Sequence, residues 1–306
     1  MNFPKNHIES LRVNDLIIAA EAALRGAAII LSYWDNPPAL FCDKEGSHYE
    51  LVSEADHNAD AAIQLVIKSA FPDDKILSEE LSPDTTDVRT GRCWIIDPLD
   101  GTSAFLFKCE PALPSVMIAL VIDGEPAVSV VAQPMIKTWT YAAKGIGAFV
   151  NGERATITEP LVANLRNAWV DMNMYGDASC ESDMYKAIDA FVRSPLGARL
   201  VTRRAPHSAV ALGLLEAAGS RGLQACVHDH NTEKPKQLPW DIVPIQLIVE
   251  EAGGVYMDTG KGVDARLDPF DLQGPILIGP RAICQYIIDQ LTWSYWEETV
   301  IPYPHQ

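Results

Sequence analysis

The chain has 306 residues, with 24 Lys and Arg set against 41 Asp and Glu, a formal net charge of −17 and a sequence pI of about 4.7. An acidic surface of that kind repels a nucleic-acid backbone, so no nucleic-acid partner is expected, although metal ions can still draw a phosphorylated small molecule to it. With 48% hydrophobic and 21% charged residues, the composition is that of an ordinary globular protein with one large domain or two intimate ones.

In chain order, Leu16 to Trp34 is rich in Ala, Leu and Ile without Pro and predicts a long, largely buried helix, stopped by Asn36-Pro37-Pro38. The most apolar part of it, Leu16 to Leu31, contains Glu21 and Arg25 and reads as too short and too charged for a membrane span. No basic segment leads into an apolar core at the N-terminus, so no secretory signal is read, and a cytoplasmic protein without a membrane partner is expected. Cys42, Cys93, Cys109, Cys180, Cys226 and Cys284 show neither CxxC nor zinc spacing and read as buried free thiols in a reducing compartment.

Leu51 to Ser53 reads as a strand end and Asp56 to Phe71 as an amphipathic helix stopped by Pro72. Lys75 to Ser78 is a short strand delivering Glu79 and Glu80, and 81–92 is a polar loop. Cys93 to Ile96 is a buried strand. Val116 to Ile122 and Ala127 to Val131 flank Asp123-Gly124, a hairpin signal. Trp139 to Ala143 adds a strand, and 145–153 is a glycine-punctuated turn region. Beyond about residue 158 strands alternate with helices. Strands are expected at 168–172, 199–202, 223–227, 254–257 and 276–278, and helices at 181–193, 208–218, 241–252 and 280–292. The chain therefore reads as an α+β half, 1–158, followed by an α/β half, 159–306.

The stretch "CWIIDPLDGTSAF" (93–105) carries Asp97 and Asp100 out of a buried strand on a tight turn. Pro98 fixes one backbone angle and Gly101 permits a sharp change of direction. Hard divalent cations take oxygen ligands, and Mg²⁺ is commonly held by one or two carboxylates plus phosphate oxygens. Asp56, Glu79 and Asp241 also stand at element ends, where α/β folds place their sites. Taken singly, Asp56 and Asp241 also read as helix-start residues, Glu79-Glu80 as a solvated pair, and Asp97 to Gly101 as a tight turn.

Together, "LVSEAD", "LSEE", "WIIDPLDGTSAF", "GAFVNGE" and "WDIVPIQLIVEEAGG" resemble, in order, the inositol monophosphatase superfamily of Mg²⁺-dependent, lithium-sensitive phosphatases. The resemblance implies a layered α-β-α-β-α sandwich of the inositol monophosphatase / sugar phosphatase type. It implies a homodimer and two or three Mg²⁺ ions. Glu79, Asp97 and the carbonyl of Leu99 would hold one ion, and Asp97, Asp100 and Asp241 a second. Thr102, hydrogen-bonded to Asp56, would orient the attacking water together with Glu79, so that Asp56, Glu79 and Thr102 form the catalytic set. Asp100, Gly101, Thr102, Ser103, His207 and His228 would face the substrate. Most metal ligands then lie in the first half, and the second half contributes Asp241 and a specificity loop.

The substrate-reading segments depart from the inositol-hydrolysing pattern. "GTSAF" stands where those members have "GTTNF", which is similar to the histidinol-phosphate and nucleotide-phosphatase branches. "LSEE" also occurs in bisphosphate nucleotidases. The segment before Trp240-Asp241 is long, and His228 falls nearest an expected hydroxyl-gripping glutamate. A loop from His228 to Pro239 at the mouth of the site is expected, with His228 and His230 read as its polar tip rather than as ligands. His207 stands where the family has glycine. The aromatic tail 293–298 is expected to pack on the body. The activity implied is hydrolysis of an inositol or sugar phosphate. A 3′(2′),5′-bisphosphate nucleotidase, a histidinol-phosphate phosphatase and a catalytically silent binding member are the alternatives.

Overall fold

The small and apolar residues near the N-terminus form helix α1 (Val13–Trp34) in the computed structural model. That structure describes residues 13–36, 40–43, 51–81, 86–108, 114–157, 168–174, 199–202, 223–229, 238–258, 268–271, 276–285 and 288–289, the backbone alone at 40–43, 51, 168–174, 199–202 and 223–229. The expected helices at 181–193 and 208–218, His207, residues 230–237 and the tail 293–298 lie outside the described residues. By length and apolarity alone the 22 residues of α1 would suffice to cross a membrane, which corrects the expectation of a segment too short to do so. The helix instead buries Leu16, Ala19, Ala23, Ala27 and Ile30 in the core. It packs on helix α2 (Glu54–Ala70), where Ile63 fills the space beside Gly26: a Cβ at Gly26 would sit 2.7 Å from Ile63 Cδ1.

The described residues fall into two compact units, the first holding 13–156 and 238–252, the second 157–229 and 253–289 as far as described. A short antiparallel pair, β1 (Leu40–Asp43) with β2 (Leu51–Ser53), precedes α2 in the first unit. Its main sheet runs in the order β3 (Lys75–Ser78), β4 (Arg92–Asp100), β5 (Ser115–Ile122), β6 (Glu125–Gln133), β7 (Thr138–Ala143), β8 (Gly147–Val150) and β9 (Glu153–Ala155). Only β3 and β4 are parallel; the remaining pairs are antiparallel. The β5–β6 turn is the expected hairpin, with Asp123 at φ 52 and Gly124 at φ 79, the two left-handed residues that match strand twist. The region expected as a turn at 145–153 is instead largely strand, because Gly147 to Val150 pairs with β7 and then turns through Asn151-Gly152 into β9.

Strand alternation gives this sheet two unlike faces. Trp94, Ile96, Val116, Ile118, Leu120, Val128, Val130 and Tyr141 join the core built with α1 and α2. Ile95, Asp97, Met117, Ala119, Val131 and Ala142 point the opposite way by register. Helix α4 (Pro239–Glu251), which follows the short helix α3 (Thr102–Phe107), packs across β4 to β8. Its position is pinned at its C-terminal end. Glu251 accepts the backbone N–H groups of Gly145 and Gly147 at 2.7 and 2.8 Å, joining two glycine-bearing stretches far apart in sequence.

In the second unit a five-stranded sheet runs β11 (Arg199–Thr202), β10 (Ala168–Met174), β12 (Leu223–Asp229), β14 (Ile276–Gly279), β13 (Val255–Asp258). The first three are parallel, and β14 and β13 are antiparallel to their neighbours. Mixed sheets flanked by helices are the expected α+β to α/β class. Strand β12 runs two residues further than expected. His228 pairs with Asn173 and Ile276 as strand rather than opening the loop.

Candidate active site

The two parallel strands β3 and β4 end side by side, Ser78 opposite Ile96. The Glu79 N–H donates to the Ile96 carbonyl at 3.1 Å, continuing the ladder one residue further. Glu79 is thereby brought beside Asp97, and alternation turns both toward the face that α4 covers. Asp241 stands in the first turn of α4 on that same face. Asp97 is 2% exposed and Asp100 is also buried. Burial, with the charges of Glu79, Asp100 and Asp241 nearby, pushes the Asp97 carboxyl well above the ordinary carboxylate value.

The turn between the two aspartates follows from its residues. Pro98 has no N–H to give the sheet, and the β4–β5 ladder bulges between Asp97 and Asp100. Asp97 Oδ1 accepts the Leu99 N–H at 3.0 Å, which tightens the turn. Pairing resumes at Asp100 with Ser115, whose hydroxyl donates to Asp100 Oδ2 at 3.3 Å. Gly101 then adopts φ 87, a left-handed conformation costly to any residue with a Cβ, and α3 starts. Ser103 is exposed on that helix.

Thr102 Oγ1 lies 2.8 Å from Asp56 Oδ1 and 3.1 Å from the Leu99 carbonyl oxygen. A hydroxyl has one proton, and the charged acceptor at the shorter distance takes it. Asp56 Oδ2 accepts the Ser53 N–H at 2.8 Å and the Ser53 hydroxyl at 2.5 Å, a capping box at the start of α2. Burial raises the Asp56 carboxyl, opposed by these hydrogen bonds.

Asp56, Glu79, Asp97, Leu99, Asp100, Thr102 and Asp241 are thus brought to one end of the first unit. His207 and the side chain of His228, expected at the substrate, lie outside what is described. Among the described residues, no group of three or more Asp, Glu, His or Cys side chains is gathered closely enough to hold a metal ion. The donors nevertheless suit a hard divalent cation, since all are carboxylates or a carbonyl and their like charges crowd a buried member. Cys93, on β4, is a bystander: burial pushes its thiol up to about 11. Three residues enter the site region without having been singled out, namely Ser53, Asp60 and Ser115. The Ser-x-x-Asp spacing signals the first, and the four-residue step from Asp56 signals the second. Ser115 leaves no local trace, because its partner lies across the sheet.

The inositol monophosphatase family model matches residues 13–292. A relative from Aquifex aeolicus, a fructose-1,6-bisphosphatase/inositol-1-monophosphatase, is 28% identical over 93% of this chain and 97% of its own. A histidinol-phosphatase of Chlorobaculum parvum is 30% identical over 80% of this chain and 85% of its own. A solved Thermotoga maritima IMPase matches with a TM-score of 0.73 at 24% identity, covering 93% of this chain and 99% of that one, and at that identity the likeness concerns the fold.

Proposed function

As a member of the inositol monophosphatase family, to which the chain belongs, the protein is a phosphomonoesterase, and we propose that it hydrolyses a small phosphorylated metabolite, an inositol or sugar phosphate first, with two or three Mg²⁺ ions. The observation that carries this reading is Asp97, buried with Glu79, Asp100 and Asp241 around it. A buried carboxylate among like charges is unfavourable by itself, and a divalent cation relieves it. Glu79, Asp97 and the Leu99 carbonyl would hold one ion, and Asp97, Asp100 and Asp241 another. Bound there, the ions would neutralise phosphate charge and make water a better nucleophile.

The chain's own groups do the positioning. Thr102 directs its proton to Asp56, which leaves its oxygen able to accept a proton from the attacking water. Glu79 is a second acceptor for that water and would take its proton as the oxygen bonds phosphorus and the ester P–O bond breaks, the departing alkoxide taking a proton from solvent water to leave as the alcohol. The Gly101 and Thr102 amides would donate to the phosphate, with Asp100 beside them. Ser103, His207 and His228 would face the leaving alcohol. No covalent phosphoenzyme forms on this route. Lithium is expected to inhibit by competing for an oxygen-rich magnesium position. A cytoplasmic homodimer belongs to the same reading and is checked by sedimentation.

The histidinol-phosphatase relative and the Ser103-Ala104 pair favour histidinol phosphate as a second substrate reading. A panel of inositol, sugar, nucleotide and histidinol phosphates, assayed across a Mg²⁺ titration, tests both. One preferred monoester with strict Mg²⁺ dependence is the expected result. Full turnover in the presence of a chelator would overturn the metal reading.

A further inference from the structure

Asp60 is fully buried on α2, one helical turn after Asp56. Its Oδ2 accepts the Ser78 hydroxyl at 2.6 Å and the Leu81 N–H at 3.0 Å, and its Oδ1 accepts Gln64 Nε2 at 3.0 Å. Ser78 is the last residue of β3, and Leu81 lies two residues past Glu79. Glu79 and Glu80 are therefore the short arc between two points tied to one carboxylate, with the Ile96 carbonyl holding the Glu79 N–H from the sheet side. An apolar residue would fill this space at less desolvation cost, so an acid here has value for the geometry it imposes.

The spacing explains why two acids serve one helix. A helix turn rises about 5.4 Å, and neighbouring strands lie about 4.8 Å apart. Asp56 and Asp60, four residues apart on one face of α2, match the exits of adjacent strands. Asp56 fixes the turn after β4 through Thr102, and Asp60 fixes the turn after β3 through Ser78 and Leu81. Outer partners of metal-ligating groups orient them, and losing such a partner typically weakens metal binding or activity about 10–100-fold.

We propose that Asp60 is a positioning residue that sets where the Glu79 carboxylate is presented, through its paired hydrogen bonds to Ser78 and Leu81 on either side of Glu79. It rests on the reading of Glu79 as a Mg²⁺ ligand. Asp60→Leu, which has no acceptor, removes both ties and so releases the arc.

The test is a double-mutant cycle read by calorimetric titration of the full-length protein with Mg²⁺ alone, alongside kcat and KM. Asp60→Leu is expected to weaken Mg²⁺ binding about 10–100-fold relative to wild type. In a Glu79→Gln background the same change is expected to alter Mg²⁺ binding less than about twofold, since the group it positions is already gone. An equal loss in both backgrounds would show that Asp60 acts on the fold as a whole, and unchanged binding in Asp60→Leu would show that it positions nothing; either overturns the proposal. Wild-type Mg²⁺ binding by Glu79→Gln would remove the ligand reading and the proposal with it. Should Asp60→Leu fail to fold, Ser78→Ala, which deletes one tie and leaves the carboxylate, is expected to weaken binding roughly fivefold in the wild-type background alone. No weakening there, or the same weakening in both backgrounds, counts against it.

Discussion

Helices α2 and α4 begin the same way and are used differently. Each carries an aspartate at the third helical position that reaches back to the backbone N–H of the residue before the helix, Asp56 to Ser53 at 2.8 Å and Asp241 to Leu238 at 3.0 Å. At α2 the residue before the helix is a serine, whose hydroxyl also binds Asp56 and accepts the Ala55 N–H. Asp56 then takes the Thr102 proton with its other oxygen. At α4 the corresponding residue is Leu238, which has no side-chain acceptor, so only the aspartate's half of the box exists. The lesson is that one local capping device can hold an acid for two purposes. At α2 the acid is locked by neutral donors into orienting a hydroxyl. At α4 it is aimed by a backbone bond and set among acids, the place the proposed function gives to a cation.

Breaking the acidic side of this pair at its centre should have the largest effect. Asp97→Asn is expected to lower turnover on the order of 1,000-fold, from lost charge stabilisation of several kcal/mol. It should also reveal the repulsion. The Asp97 carboxyl is raised from the ordinary value of 3.8, so its contribution to stability is present in full below that value and is lost as pH rises through the raised one. In chelator at neutral pH, Asp97→Asn is therefore expected to unfold at higher denaturant than wild type, with the gap closing in acid. Mg²⁺ should stabilise wild type and not the variant.

Thr102→Ala tests the α2 side. Turnover should fall on the order of 100-fold, while Mg²⁺ binding measured by calorimetry stays within a few-fold, as the proposed role of the hydroxyl in orienting water rather than ligating the ion requires. A matched pair then sharpens the contrast. Asp56→Asn turns an NH₂ toward the Ser53 or Thr102 donors and should cost about 1–3 kcal/mol of stability in denaturant melts. Asp241→Asn can keep its amide oxygen on the Leu238 N–H, so stability should change by less than about 0.5 kcal/mol while Mg²⁺ binding weakens about tenfold or more. The smallest effect is expected from Ser53→Ala, about 1 kcal/mol of stability from the lost cap, with turnover reduced only as far as Asp56 shifts.

Much of this was legible in the chain itself. Strands β3 to β7, the Asp123-Gly124 hairpin and helices α1, α2 and α4 follow from apolar periodicity and from Pro and Gly, which act on the residues next to them. The motif "DPLDGT" read as a tight acidic turn because Pro98 and Gly101 restrict or free backbone angles locally, and the bulge with φ 87 at Gly101 is the outcome. The short strands β8 and β9 escaped that reading, since glycines at 145, 147 and 152 look like loop until β7 offers a pairing edge.

What local pattern could not decide was which acids meet. Asp97 and Asp241 lie 144 positions apart, and only the packing of α4 across β4 brings their charges together. The same holds for Asp60 with Ser78 and Leu81, for Ser115 with Asp100, and for Glu251 with the amides of Gly145 and Gly147. By itself the sequence determined where the chain turns and which element ends carry carboxylates, because backbone angles and side-chain chemistry are local properties. Tertiary structure decided the register of β3 on β4 and the helix laid over them, because strand pairing and burial are settled between segments distant in the chain, and it is that register which sets Glu79 beside Asp97.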